Sequence, residues 1–120
     1  MRFSNSGRYT VQAEFDSVAG LKVGAPVEIA GVEIGEVVNI TLGSVNEVAA
    51  MVSLQINDSV KLRDDDIAAI RTKGIIGDRY VKIVPGGSKD IVKAGGNLSE
   101  TESAVEFEEI IGKLIHKFES

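Results

Sequence analysis

Thirteen glycines and only two prolines punctuate this 120-residue chain, and between the glycines lie short runs in which apolar and polar residues alternate. Such a run has the two-residue side-chain period of a half-buried strand. Many of them at short spacing are the pattern of an all-β barrel or sandwich. Residues 9–15 show the period most plainly, with Tyr9, Val11, Ala13 and Phe15 on one face and Thr10, Gln12 and Glu14 on the other. Pro26 stands at the start of a short strand over residues 26–30, where its missing N–H does least harm, and Gly31 breaks it. Residues 32–42 are rich in Val and Ile with Gly35 among them, which predicts a long strand bent or bulged where the side chain is absent. Further strands are expected over residues 48–56, 67–72 and 80–84, with brief pieces at 60–62 and 97–99.

One stretch has a different period. Ser103 with Glu106 three residues on is a capping-box signal. Phe107, Ile110, Ile111, Leu114, Ile115 and Phe118 then recur as one apolar stripe at helical spacing. Glutamates near its start and Lys113 and Lys117 near its end suit the helix dipole. At about 1.5 to 3 kcal/mol per buried side chain, leaving that stripe in water forfeits on the order of 10 kcal/mol. The helix therefore packs either on its own barrel or on copies of itself. The chain divides into an N-terminal lead or linker segment over residues 1–8, a β-barrel domain over 9–102 and a C-terminal amphipathic helix over 103–120.

The chemistry of the side chains excludes more than it suggests. Eighteen acidic residues against thirteen basic ones give a formal charge of −5, which opposes a nucleic-acid surface. With no cysteine there is no disulfide, thiolate nucleophile or zinc–sulfur site. The one histidine, His116, lies in the helical stretch, and no G-x-S-x-G elbow accompanies it. Asp64, Asp65 and Asp66 are adjacent, without the alternate-residue spacing of a calcium loop, and read as a solvated acidic turn. Neither nucleotide-phosphate motif occurs, so no catalytic residue, metal or cofactor is assigned. The longest uninterrupted apolar run, residues 48–52, is far short of the roughly 18 to 20 residues that cross a bilayer. The first residues carry a positive charge but no apolar stretch of the signal-peptide kind.

Ile75 and Ile76, between Gly74 and Gly77, are the remaining oddity. The G-x-x-G spacing also occurs in RNA-clamping loops, but those need basic surroundings and flanking helices. A bulky β-branched pair at a predicted loop tip either folds back to cap the core or projects toward a partner subunit, membrane or lipid.

Four segments bring these features into one register. They are Phe15 and Asp16 with Gly20, Leu21 and Lys22; Pro26 and Val27 with Ala30, Gly31, Val32 and Gly35; Ile70, Arg71, Thr72 and Lys73 with the loop Gly74, Ile75, Ile76, Gly77 and then Tyr80; and Thr101, Glu102, Ser103 and Ala104. In order and spacing they resemble the MCE (mammalian cell entry) domain, over about residues 9–118. The resemblance implies a compact seven-stranded β-barrel with a C-terminal helix, assembled as a homohexameric ring around an apolar pore. It implies a noncatalytic subunit that binds phospholipid on the periplasmic face of the bacterial inner membrane, held by an N-terminal anchor that this chain does not contain. Its implied partners are an ABC permease with its ATPase and a soluble periplasmic lipid carrier, and its implied role is to help maintain outer-membrane lipid asymmetry. Carried over by position, Gly74, Ile75, Ile76 and Gly77 fall on the lipid-pore loop, with isoleucine where the family has a leucine pair. Ile110, Ile111, Leu114, Ile115 and Phe118, in the stripe that Phe107 begins, fall on the helix gathered below the ring. The alternative is a structural oligomerisation or membrane-tethering module that carries no lipid itself.

Overall fold

In strand β1 (Arg8–Phe15) the alternation becomes burial: Val11, Ala13 and Phe15 are closed off from solvent while Glu14 is exposed. The computed structural model describes residues 7–43, 49–74 and 77–103, and all regular structure there is strand. After β1 come β2 (Pro26–Ile29), β3 (Val32–Leu42), β4 (Ala50–Asn57), β5 (Ile67–Thr72), β6 (Arg79–Val84), β7 (Asn97–Leu98) and β8 (Glu100–Glu102). The expected piece at 60–62 is not a strand. Leu62 is instead a fully buried plug whose carbonyl accepts from Val92 N–H at 2.8 Å.

The strands form one sheet in the order β7-β1-β4-β3-β2-β6-β5-β8. Its two ends are consecutive in the chain. β7 pairs in parallel with β1, Ala13 opposite Leu98, and β8 pairs in parallel with β5, Ala68 opposite Thr101. One segment, switching partner at Ser99, thus joins both edges and makes the sheet a nearly closed barrel, leaving little free edge for unwanted pairing. The Thr101 hydroxyl ties the seam by donating to the Glu14 carbonyl at 2.8 Å. The resemblance called for seven strands. The described residues hold eight, because the closing segment is broken into two pieces that serve opposite edges.

The glycines expected to bend the long strand act at close quarters. A Cβ on Gly35 would overlap the Gln55 carbonyl of β4, so β3 and β4 approach there only because the side chain is missing. Register shifts lie on either side: Ile34 is the extra residue against β2, and Val38 the extra one against β4. Ala30 and Gly31 turn β2 into β3 with φ of 53° and 83°, the mirror-image hairpin turn whose twist matches the strands.

Inside the barrel the packing is aliphatic, as a chain with 5% aromatic residues requires. Val37, Val52, Leu54, Ile56, Val81 and Ile83 are essentially inaccessible, and Phe15 is the largest side chain among them. The expected helix stripe lies outside the described residues. Among the described residues no helix long and apolar enough to cross a membrane is present.

Candidate functional site

β5 and β6 form an antiparallel pair that ends with Thr72 opposite Arg79. One more rung follows, Lys73 N–H donating to the Asp78 carbonyl at 3.0 Å, so four residues connect the strands. Both glycines of that connection have a local reason. Gly74 has φ +76°, in the left-handed region that L side chains avoid, and a Cβ on Gly77 would overlap the Lys73 carbonyl. The flanks are strands, which removes the helical surroundings an RNA-clamping loop needs. Ile75 and Ile76 themselves lie outside the described residues, as do Phe107, Ile110, Ile111, Leu114, Ile115, Phe118 and His116.

The base of this loop carries a cluster that the sequence did not disclose. Glu28, on β2, is only 8% exposed, and its carboxylate accepts from the Lys73 ammonium at 2.6 Å. On the way the lysine passes over the Tyr80 ring, 4.8 Å from its centroid. The bond from Glu28 raises the Lys73 pKa above the ordinary lysine value. On the other flank Arg71 of β5 pairs with Glu102 of β8 at 2.5 Å. Beside the loop, Lys22, Pro26, Asp78 and Arg79 help line a cleft of about 250 Å³. Nothing in the sequence joins Glu28 to Lys73, since 45 positions separate them. The only available signal is an acidic residue inside a short apolar strand.

A larger cleft of about 810 Å³ lies near the opposite end of β1, lined among others by Tyr9, Lys61, Lys89, Ile91 and Lys93. The Tyr9 hydroxyl there donates to the Val60 carbonyl at 2.6 Å, and burial raises its pKa. This bond ties the start of β1 to the segment that leads into Leu62.

The acidic turn departs from its expected solvated form. Asp66 is 3% exposed and accepts from Arg63 N–H at 2.9 Å and Gly86 N–H at 2.8 Å. Asp65 accepts from Gly87 N–H at 2.8 Å and Ser88 N–H at 2.9 Å, and these bonds lower its pKa. The two carboxylates therefore clasp the strand end after β6, because the backbone there turns its N–H groups inward. Among the described residues no group of three or more His, Cys, Asp or Glu is placed to hold a metal ion.

Comparison with known proteins gives a consistent result. The family model described as MlaD protein matches residues 7–86. The intermembrane phospholipid transport system binding protein MlaD of Haemophilus influenzae is 35% identical over 118 residues, covering 95% of this chain and 70% of that protein. The protein of the same name from Escherichia coli K12 is 33% identical over 114 residues, covering 90% of this chain and 62% of its own length. The chain thus spans about two thirds of the length of these relatives. Among solved structures, a chain of an Acinetobacter MlaFEDB complex in an ATP-bound conformation superposes with a TM-score of 0.83 at 25% identity, covering 95% of this chain and 84% of that one.

Proposed function

The chain belongs to the MlaD family, and from that premise we propose that it is a noncatalytic phospholipid-binding and transfer subunit of an intermembrane lipid transport system. One observation carries the reading: relatives 33% and 35% identical over nine tenths or more of this chain are named as binding proteins of such a system. The likeness to a chain of the MlaFEDB complex supports a place in a larger assembly. In this reading its partners are an ABC permease with its ATPase, and a soluble carrier receives or delivers lipid on the periplasmic side of the inner membrane.

The physical case begins with the cargo. A phospholipid carries on the order of thirty acyl methylenes, and at about 0.8 kcal/mol each their exposure to water costs on the order of 20 kcal/mol. A conduit has to supply a dry path, and no covalent step is needed. A barrel of this size with a filled interior has no room for such a path. A homohexameric ring brings the loop of Gly74, Ile75, Ile76 and Gly77 from each copy to one axis and encloses an apolar pore. In this reading residues 9–102 form the ring-building barrel. The 103–120 helix, through Phe107, Ile110, Ile111, Leu114, Ile115 and Phe118, gathers below it, and the transport helps maintain outer-membrane lipid asymmetry.

Replacing Ile75 and Ile76 together by asparagine tests the reading. Phospholipid transfer between vesicles by the reconstituted complex should be lost while the assembly mass is unchanged. Undiminished transfer removes the pore assignment. Intact rings purified without any bound phospholipid favour the scaffold or tether instead.

A further inference from the structure

Among the described residues the far end of the β5–β6 hairpin extends past its strand neighbours. β6 pairs with β2 at only two positions, Val27 opposite Val81 and Glu28 opposite Lys82. β5 pairs with β8 at Ile67, Ala68 and Ala69 only. Among the described residues, 71–73 and 78–80 therefore continue as a two-stranded ribbon that pairs with no further strand on either side. A ribbon of that kind is marginal in water by itself. Among the described residues an ion pair lies on each of its flanks, Arg71 with Glu102 toward β8 and Lys73 with Glu28 toward β2.

The two are not equivalent. Arg71 and Glu102 have side chains 41% and 50% exposed, so water screens them and their net contribution is small. The Glu28 side chain is 10% exposed while that of Lys73 is 54% exposed. Removing the lysine leaves a nearly buried carboxylate without its cation, a far worse state than the reverse. The lysine also reaches Glu28 across the Tyr80 ring, so one side chain spans β5, β6 and β2. The two-residue period puts Arg71, Lys73 and Tyr80 on the outer face, whereas Ile70 and Val81 point into the core.

We infer that the Glu28–Lys73 pair, laid over Tyr80, is a positioning device that fixes the angle of the β5–β6 ribbon against β2. Lys73 is the last residue before Gly74, so any swing of the ribbon relative to β2 begins at its hydrogen bond to Asp78. The consequence for lipid passage rests on the pore-loop reading proposed above. The consequence for the hairpin does not.

The test compares Lys73→Met, Lys73→Arg, Glu28→Met and the double variant Lys73→Met/Glu28→Met in the reconstituted complex, with Ile75→Asn/Ile76→Asn alongside. Amide hydrogen exchange at residue 73, relative to the Ile70 and Val81 amides, reports on the ribbon, and vesicle-to-vesicle phospholipid transfer reports on passage. Lys73→Met should speed residue-73 exchange about two- to fivefold and slow transfer by a similar factor, the range expected of a partly exposed pair. Lys73→Arg should keep both close to the parent. The double variant should be no worse than Lys73→Met, since it removes the stranded carboxylate as well. Unchanged exchange in Lys73→Met, or strictly additive effects in the double variant, overturns the inference. If Ile75→Asn/Ile76→Asn stops transfer while Lys73→Met transfers at the parent rate, the positioning role in passage is overturned. If Ile75→Asn/Ile76→Asn leaves transfer intact, the pore reading fails, and the exchange data alone decide for or against the pair's hold on the ribbon.

Discussion

The Tyr9 hydroxyl sits between two backbone groups of a distant loop, donating to the Val60 carbonyl at 2.6 Å and accepting from Leu62 N–H at 3.3 Å. It thereby pins the start of β1 to the segment that carries the fully buried Leu62. Tyr9→Phe keeps the ring but strands both backbone groups. A loss of about 1 to 2 kcal/mol of unfolding free energy is expected, read from the urea midpoint. An unchanged midpoint shows that water replaces the hydroxyl without cost.

Alkaline pH should weaken the fold through two groups. Burial raises the Tyr9 pKa and the bond from Glu28 raises that of Lys73, so each binds its proton more tightly in the folded state than in the unfolded chain. Their contributions are complete below the unfolded values, about 10 for tyrosine and 10.4 for lysine, and are lost as pH rises through the folded ones. The urea midpoint should fall above about pH 10, and less steeply in Tyr9→Phe.

Period-two alternation makes β1 legible in the sequence, because Val11, Ala13 and Phe15 face a core that only one register can fill. The bent β3 was legible through Gly35 for a similar reason. The closure at Ser99 was not, since pieces as short as Asn97–Leu98 and Glu100–Glu102 carry no period. Asp65 and Asp66 were misread as solvated because residue type does not tell where backbone N–H groups point. The Glu28–Lys73 contact depends on β2 lying beside β6, a neighbour relation that local pattern does not encode. Gly74 and Gly77 could be read as loop residues from spacing alone, and the left-handed φ and the close approach supply the physical cause.

Acid should act through the clasp. Asp65 accepts two backbone N–H bonds and is held below the usual carboxylate range, so the folded state binds its proton more weakly than the unfolded chain. That contribution is present above the unfolded value, about 3.9, and is lost as pH falls through the folded one. The urea midpoint should decline below about pH 4, and the decline should be shallower in Asp65→Asn. Equal slopes in the two proteins assign the acid sensitivity to other carboxylates.

Gly35→Ala should be among the most damaging small substitutions in the barrel. The added methyl meets the Gln55 carbonyl, a backbone atom of the central strand β4 that has no free direction in which to move. Overpacking of that kind costs about 1 to 3 kcal/mol, and here the two strands must also separate. A thermal melt lowered by several degrees is expected, with the β-sheet circular dichroism of the folded state retained at low temperature. A variant as stable as the parent means that the strands part there without loss.

The β2–β3 turn offers the opposite change. Ala30 has a positive φ of 53° while followed by Gly31 at 83°, a turn that favours asparagine followed by glycine. Alanine in the left-handed region carries a strain of roughly 1 kcal/mol that asparagine largely avoids through its own backbone contacts. Ala30 is exposed, so the longer side chain displaces nothing from the core. Ala30→Asn should therefore raise the unfolding free energy by about 0.5 to 1 kcal/mol, mainly by removing strain from the folded state. The gain should appear as a higher urea midpoint with the same slope, since the surface exposed on unfolding does not change. A midpoint that falls instead shows that the hairpin does not hold residue 30 in the left-handed region in solution.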